Sequence, residues 1–231
     1  EQGAVVRKLL YVPVIHTEPD LGSEAAAIAA ESASWIGEER WFRHKETTAR
    51  FWKSIAAYFA TIDGSNLKIY QDGLPAEGAL GKRIIEEAAR RGSKNHQIIL
   101  DLMSRGAEIR KTENPSLLKE EYEYITALTH SSSATQKAAV RARYKLRKRY
   151  LTTERDKFIV RTISDTLKEG ETGVLFMGSH HNILRYLPAG IVVQKLKDEE
   201  KINTYFRLLV SGGDEKEFQQ LTEYLTSPCA G

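Results

Sequence analysis

The chain has 231 residues, of which 41% are hydrophobic and 28% charged, so it has the composition of an ordinary globular protein that can bury a full core. Its net charge of +3 is too small to indicate a polyanionic partner by itself, and its single cysteine excludes both a disulfide framework and a cysteine-based zinc site within one chain. One cysteine fits a reducing compartment, and no apolar run approaches the ~20 residues that a membrane helix needs. We therefore expect a cytoplasmic protein with no membrane span.

Strands and helices alternate along the chain. In chain order, the patterns predict a strand at 9–15, a long helical region at 23–62, a strand at 67–71, helices near 80–92 and 98–102, a strand at 107–111, helices from 116 and over 135–168, strands at 174–177 and 191–195, and a last helix from 214. This alternation favours an α/β fold whose parallel or mixed sheet is covered by helices.

Two helical regions are long for a minimal doubly wound fold. They lie at about 23–62 and 116–168, and we expect them to be helical elaborations of a single domain over residues 1–231, forming an extra helical lobe or a homodimer interface. Within the first region, Gly37 and the polar stretch 43–48 are candidate breaks. Aromatic residues of this region are predicted to pack a helix bundle or a dimer seam: Trp35, Trp41, Phe42, Phe51 and Trp52.

Four of the predicted strands run into a residue that can bind a metal or move a proton. The first is followed by His16 and Glu18, the second by Asp72, the third by Glu113 and the fourth by Gly178-Ser179-His180-His181-Asn182. Open α/β sheets place their sites at the carboxyl ends of their strands. We therefore expect His16, Asp72, Glu113 and His181 to lie at one edge of the sheet.

The histidines allow two interpretations. Imidazole and carboxylate are usual ligands of zinc, manganese and cobalt, but His16 and Glu18 taken alone favour a structural histidine that bonds backbone near a strand end. In the second group, Gly178 permits a tight turn, and adjacent histidines point apart, so one of His180 and His181 is expected to face the site. The alternative is that both are exposed loop residues.

Arg155 is predicted to need an anionic partner. On a helix it shares an apolar stripe with Ile159, Ile163 and Leu167, where an unpaired charge would be costly. The partner is either a carboxylate of the chain itself, which would make Arg155 structural, or a carboxylate, phosphate or oxyanion of a substrate.

A dense basic run precedes that helix segment. Such a run could contact nucleic acid or an anionic membrane, but a solvated helix face is the favoured interpretation, neutralised in part by the acidic segment 120–123 across a hairpin. We therefore do not expect a nucleic-acid partner. The run comprises Arg141, Arg143, Lys145, Arg147, Lys148 and Arg149.

The order of these motifs resembles the TraB/PrgY/GumN family, within a wider set that includes the TIKI metalloproteases, erythromycin esterase and the ChaN haem-binding proteins. Thr153-Glu154-Arg155-Asp156 is similar to the family's Glu-Arg-Asp helix start, and Gly178-Ser179-His180-His181 to its second glycine-x-x-histidine element. Glu113 resembles the middle glutamate, and Asp72 stands where several members carry an acidic residue. The first element departs from the family, because Pro13 replaces the glycine that precedes His16 by three positions.

The resemblance implies a metal-dependent hydrolase, peptidase-like or esterase-like, that acts on a small-molecule or peptide substrate. A divalent manganese, cobalt or zinc ion would lower the pKa of a bound water. The competing expectation is a non-enzymatic protein that binds haem or another small ligand, or has a regulatory role. The roles that the resemblance implies are metal ligation by His16, Glu18 and His181, catalysis by Glu113, Glu154 and Arg155 (with Glu18 as a further candidate base), and substrate binding by Asp72, His180 and Asn182.

Overall fold

The computed structural model describes residues 6–17, 19–20, 32–178 and 181–229, and within them five strands form one parallel sheet. The strand order is β3-β2-β4-β1-β5. The predicted α/β class is confirmed, and the sheet is parallel throughout. The strands are β1 (Arg7–Val14), β2 (Leu67–Gln71), β3 (Glu108–Arg110), β4 (Thr172–Gly178) and β5 (Ile191–Lys195).

Most helices fall close to where the sequence predicts them, but the helix at Glu199–Ser211 was not predicted. Residues 23–31 of the first predicted helical region lie outside the described residues, and that region breaks at Gly37, whose φ of +91° favours glycine. The stretch 43–48 does not break the helix. The helices are α1 (Glu38–Ala60), α2 (Gly78–Arg90), α3 (Lys94–Ser104), α4 (Pro115–His130), α5 (Ala134–Thr166), α6 (Glu199–Ser211) and α7 (Glu215–Thr226).

Both faces of the sheet are buried, which explains the continuous apolar runs of its strands. On one face, residues such as Val12 and Phe176 pack with side chains of α1, α2, α3, α6 and α7. On the other face, Leu9 and Leu175 pack with Ile159 of α5. The sheet is thus the middle layer of three, with most helices on the first face and α5 alone among the long helices on the second.

The connections place a crevice beside β4. The chain leaves β1 and β2 toward helices of the first face, whereas it leaves β4 toward residues 183–187, which pack with α5 on the second face. Because β4 lies between β2 and β1, its neighbours send the chain to the opposite side of the sheet. Such a switch point is where open α/β sheets bind ligands.

Helices α4 and α5 form a hairpin that extends beyond the sheet. Helix α4 buries none of its residues, and the buried residues of α5 begin only at Leu151. Across the hairpin, Arg147 Nε donates to Glu120 Oε1 at 2.6 Å, and the other basic residues of the predicted run are exposed. The acidic segment therefore pairs with the basic run, as predicted, at this one position.

The predicted aromatic cluster is divided in the structure. Phe51 and Trp52 belong to the core of the first face, whereas Trp35 and Phe42 are 82% and 59% exposed. Trp41 lines a cavity, described below. No helix among the described residues is both long enough and apolar enough to cross a membrane.

Candidate functional site

The carboxyl ends of β2, β3 and β4 bring together Asp72, Glu113 and His181, next to Arg155 and Asp156 of α5. Asp72 is fixed to the end of β4 by its backbone N–H, which donates to the Phe176 carbonyl at 2.9 Å, and by its Oδ2, which accepts from the Gly178 N–H at 3.2 Å. After β3, the N–H groups of Thr112 and Glu113 donate to the Leu74 carbonyl at 2.9 and 3.1 Å. The turn after β2 is therefore hydrogen-bonded both to the end of β4 and to the residues after β3, and it aligns these two strand ends.

Arg155 finds its anionic partners within the chain. Its Nε donates to Glu113 Oε1 and Oε2 at 3.1 and 3.0 Å, and its Nη2 also bonds Oε1. Its Nη1 donates to Glu121 Oε2 at 3.0 Å, and Nη2 lies 3.8 Å from Asp72 Oδ1. Of the two partners that the sequence left open, the structure therefore provides the chain's own carboxylates.

Burial makes this ion pair sensitive to loss of either member. The Glu113 side chain is fully buried; burial raises the pKa of its carboxyl, and the neighbouring Arg155 only partly offsets that effect. For Arg155, burial alone would lower the pKa, but Glu113, Asp72 and Glu121 outweigh it and hold the pKa above the usual value. The guanidinium therefore keeps its positive charge, and that charge stabilises the buried carboxylate of Glu113.

His181 lies between two carboxylates. Its Nδ1 is 2.5 Å from Asp156 Oδ1, and its Nε2 is 3.5 Å from Asp72 Oδ1. The second oxygen of Asp156 accepts from the Asn182 N–H at 3.2 Å, which fixes the carboxylate as well. Burial would lower the pKa of His181, but the Asp156 bond and the charges of Asp72 and Asp156 outweigh it, so the pKa is raised.

The predicted site residues do not all join this cluster. His16 follows β1 at the same edge of the sheet, but it is exposed and lines a cavity with Trp41 and His44 of α1. Glu154 pairs with Lys157 on its own helix at 2.7 Å, and Asn182 is exposed and reaches the cluster through its backbone N–H. Glu18 and His180 lie outside the described residues.

Sequence reasoning missed three members of the cluster. Asp156 was noticed only as part of a motif, yet it orients His181 from 25 positions away. Glu121 bonds Arg155, and Tyr144 donates to Glu121 Oε1 at 2.8 Å; burial and this carboxylate raise the pKa of Tyr144 to about 12. All three contacts join residues that are distant in sequence, so no local pattern signals them.

The cluster is rich in negative charge. Among the described residues, the cations that pair with the carboxylates of Asp72, Glu113, Glu121 and Asp156 are Arg155 and, when it is protonated, the imidazole of His181. Such an excess favours a bound cation. Among the residues that the structure describes, however, no three histidine, cysteine, aspartate or glutamate side chains are placed to hold one metal ion.

Comparison with known proteins identifies no relative. No family model matches the chain, and no curated protein and no solved structure matches it either. The resemblance to the TraB/PrgY/GumN family therefore stays a prediction from motif order.

The first prediction concerns the ion pair. Arg155→Ala should lower the free energy of unfolding by ~3–5 kcal/mol, because it leaves Glu113 buried without its partner. Adding Glu113→Gln should recover part of the loss, since the orphaned carboxylate is then gone. Urea unfolding of the single and double variants measures both effects. Equal stability of Arg155→Ala and the parent protein would contradict the structural role of the pair.

The second prediction concerns pH. Since the pKa of His181 is raised in the folded protein, its contribution to stability is fully present below the ordinary value of 6.5 and is lost as the pH rises through the raised value. In Asp156→Asn, this pKa should fall, because the neutral amide stabilises the imidazolium less. A histidine NMR titration of chelator-treated protein measures the change, with the exposed Asp165→Asn on the same helix as control. An unchanged His181 pKa in Asp156→Asn would rule out the Asp156 carboxylate as a cause of the raised pKa.

Proposed function

We propose that the protein is a divalent-metal-dependent hydrolase, of the peptidase or esterase type, whose site lies where β2, β3 and β4 end. The observation that carries the proposal is the line of side chains from Asp156 through His181 to Asp72. It joins a buried, oriented imidazole to a second carboxylate at the switch point of a parallel sheet.

Two residues of this line fit a metal ion. Metal-binding histidines usually donate their second ring N–H to a carboxylate, as Asp156 is placed to accept from His181 Nδ1. Ligand bonds of ~2.0–2.2 Å can reach from one ion to two atoms that are 3.5 Å apart, the distance between His181 Nε2 and Asp72 Oδ1. The resemblance implies further ligands at His16 and Glu18, but His16 lines the separate cavity with Trp41 and His44, so we do not assign it to the metal, and we keep Glu18 as the general base. A bound ion would supply a water of lowered pKa and polarise a carbonyl group.

The remaining side chains position this pair. Asp156 fixes the ring of His181, whose side chain is fully buried, as is that of Glu113. Arg155 is occupied by Glu113 and Glu121, so its contacts favour a positioning role over a direct one on the substrate. Since Glu113 is held in that ion pair and Glu154 pairs with Lys157, Glu18 is the general base that the proposal retains.

A second candidate function, non-enzymatic binding of a small ligand, is favoured by the cavity next to His16. Its volume of about 210 Å³ is below the ~300–1,000 Å³ of pockets for drug-sized ligands, so it suits a compound smaller than haem.

For the hydrolase, we further propose a small-molecule or peptide substrate and a cytoplasmic location.

The third prediction tests the metal. Protein purified without a histidine tag should contain close to one equivalent of manganese, cobalt or zinc by elemental analysis. His181→Ala should lose the metal together with any activity on peptides and esters, because its imidazole provides a ligand. The exposed His130→Ala is the matched control. A His181→Ala protein with unchanged metal content would remove the central assignment, and a Soret band would favour haem binding instead.

The fourth prediction tests the proposed homodimer. The α4–α5 hairpin exposes apolar side chains, among them Leu146 at 83% and Tyr122 at 67%. Leu146→Glu with Tyr122→Glu should therefore convert dimers to monomers in sedimentation experiments, since burying carboxylates in the seam is costly. Leu80→Glu, at an exposed leucine of α2, should leave the dimer intact. A parent protein that stays monomeric at all concentrations would exclude this interface.

A further inference from the structure

We propose that the cavity at the end of β1 is a separate binding site for a small aromatic carboxylate. The cavity lies between the residues after β1, the first half of α1 and the start of α3, and its wall includes His16, Trp41, His44, Thr48 and Lys94. It belongs to the first face of the sheet, whereas the cluster around His181 is built with α5 on the second. The site is therefore independent of the proposed hydrolysis.

The volume and the wall define the body of the ligand. An engineered protein cavity of ~150 Å³ binds benzene, so about 210 Å³ accommodates one aromatic ring with a short substituent. The rings of Trp41 and His44 stand side by side with centroids 5.2 Å apart. Burial lowers the pKa of His44 to about 4, so this imidazole is neutral at physiological pH and contributes a flat wall and no charge.

A buried hydroxyl group in the wall has no partner among the described residues. Thr48 is only 4% exposed, and its Oγ1 makes no hydrogen bond with any residue that the structure describes. Its neighbour Thr47 shows the usual arrangement, in which the hydroxyl donates to the carbonyl four residues earlier, Arg43 O, at 2.8 Å. Since buried polar groups are nearly always satisfied, we assign the missing partner of the Thr48 hydroxyl to the ligand.

The charges of the wall define the polar group of the ligand. Its described residues include Lys94, Lys45 and His16 but no aspartate or glutamate. The one hydrogen bond that Lys94 Nζ makes among the described residues goes to the neutral Gln97 Oε1, at 3.2 Å, so its charge is not balanced there. An ammonium and a hydroxyl next to an apolar wall suit a carboxylate on an aromatic ring.

Benzoate and the neutral, nearly isosteric benzamide test the proposal. Benzoate should bind saturably in ligand-observed NMR. In spectra of the protein, it should shift the indole N–H resonance of Trp41. Benzamide should bind at least roughly tenfold more weakly, because it lacks the negative charge. Equal binding of the two compounds, or no saturable binding of benzoate, phenylacetate or indole-3-acetate, overturns the proposal.

Matched variants locate the site. Thr48→Val keeps the shape of the side chain and removes the hydroxyl, so it should weaken benzoate binding roughly tenfold, and Lys94→Gln should do the same. The neighbouring Thr47→Val and the exposed Lys119→Gln of α4 should bind as the parent does. Without ligand, Thr48→Val should melt no lower than the parent, because it removes an unsatisfied polar group. Full benzoate affinity in both Thr48→Val and Lys94→Gln overturns the assignment.

Discussion

The buried ion pair between Arg155 and Glu113 joins the helix layer of the second face to the carboxyl edge of the sheet. Glu113 follows β3 and is fully buried, so its charge is tolerated only while the guanidinium stays in place. The next residue of α5, Asp156, holds His181 through Nδ1. The position of the imidazole therefore depends on the same helical turn that the ion pair fixes, and Tyr144 and Glu121 extend that support to the hairpin.

A chain of buried and partly buried hydrogen bonds connects the cluster with the wall of the cavity. The Asp72 carbonyl accepts from Gln71 Nε2 at 3.0 Å, and Gln71 Oε1 accepts from Asn95 Nδ2 at 3.0 Å. Asn95 Oδ1 in turn accepts from Ser93 Oγ at 2.6 Å, directly before Lys94. Because such a network is costly when any member lacks its partner, it fixes the end of β2 relative to the start of α3. The two candidate sites thus share one rigid scaffold.

Much of the scaffold could be predicted, because the inner strands β1 and β4 are largely apolar on both faces and most helices show their period in the sequence, whereas α6 was not predicted. The same pattern predicted that candidate site residues lie at the carboxyl edge of the sheet. It did not predict the order of the strands in the sheet. Because β4 lies beside β2, Asp72 meets His181; β1 borders β4 on its other side, but His16 after it lines a cavity with Trp41 and His44 of α1. Local patterns report which face of a strand or helix is buried, but they do not report which strands become neighbours.

The same limit explains the residues that were missed. Arg155 signalled its need for an anion because a charge on an apolar stripe is a local contradiction, and the structure resolves it with Glu113 and Glu121. Thr48 and His44 gave no such signal, because a threonine and a histidine on an amphipathic helix are unremarkable until α6 supplies Tyr205, whose hydroxyl lies 3.1 Å from His44 Nδ1. Partners that are distant in sequence decide which polar residues become chemically distinctive.

The two candidate sites differ in the sign of their charge. The cluster at β2, β3 and β4 carries four carboxylates against Arg155 and His181, whereas the described wall of the cavity at β1 carries lysines and no carboxylate. A field of one sign attracts ligands of the other and repels its own. A cation is therefore favoured at the first site and an anion at the second, although both lie at the same edge of one sheet. The parallel arrangement brings the sites to that edge, and the two helix layers, which contribute different side chains, give them opposite chemistry.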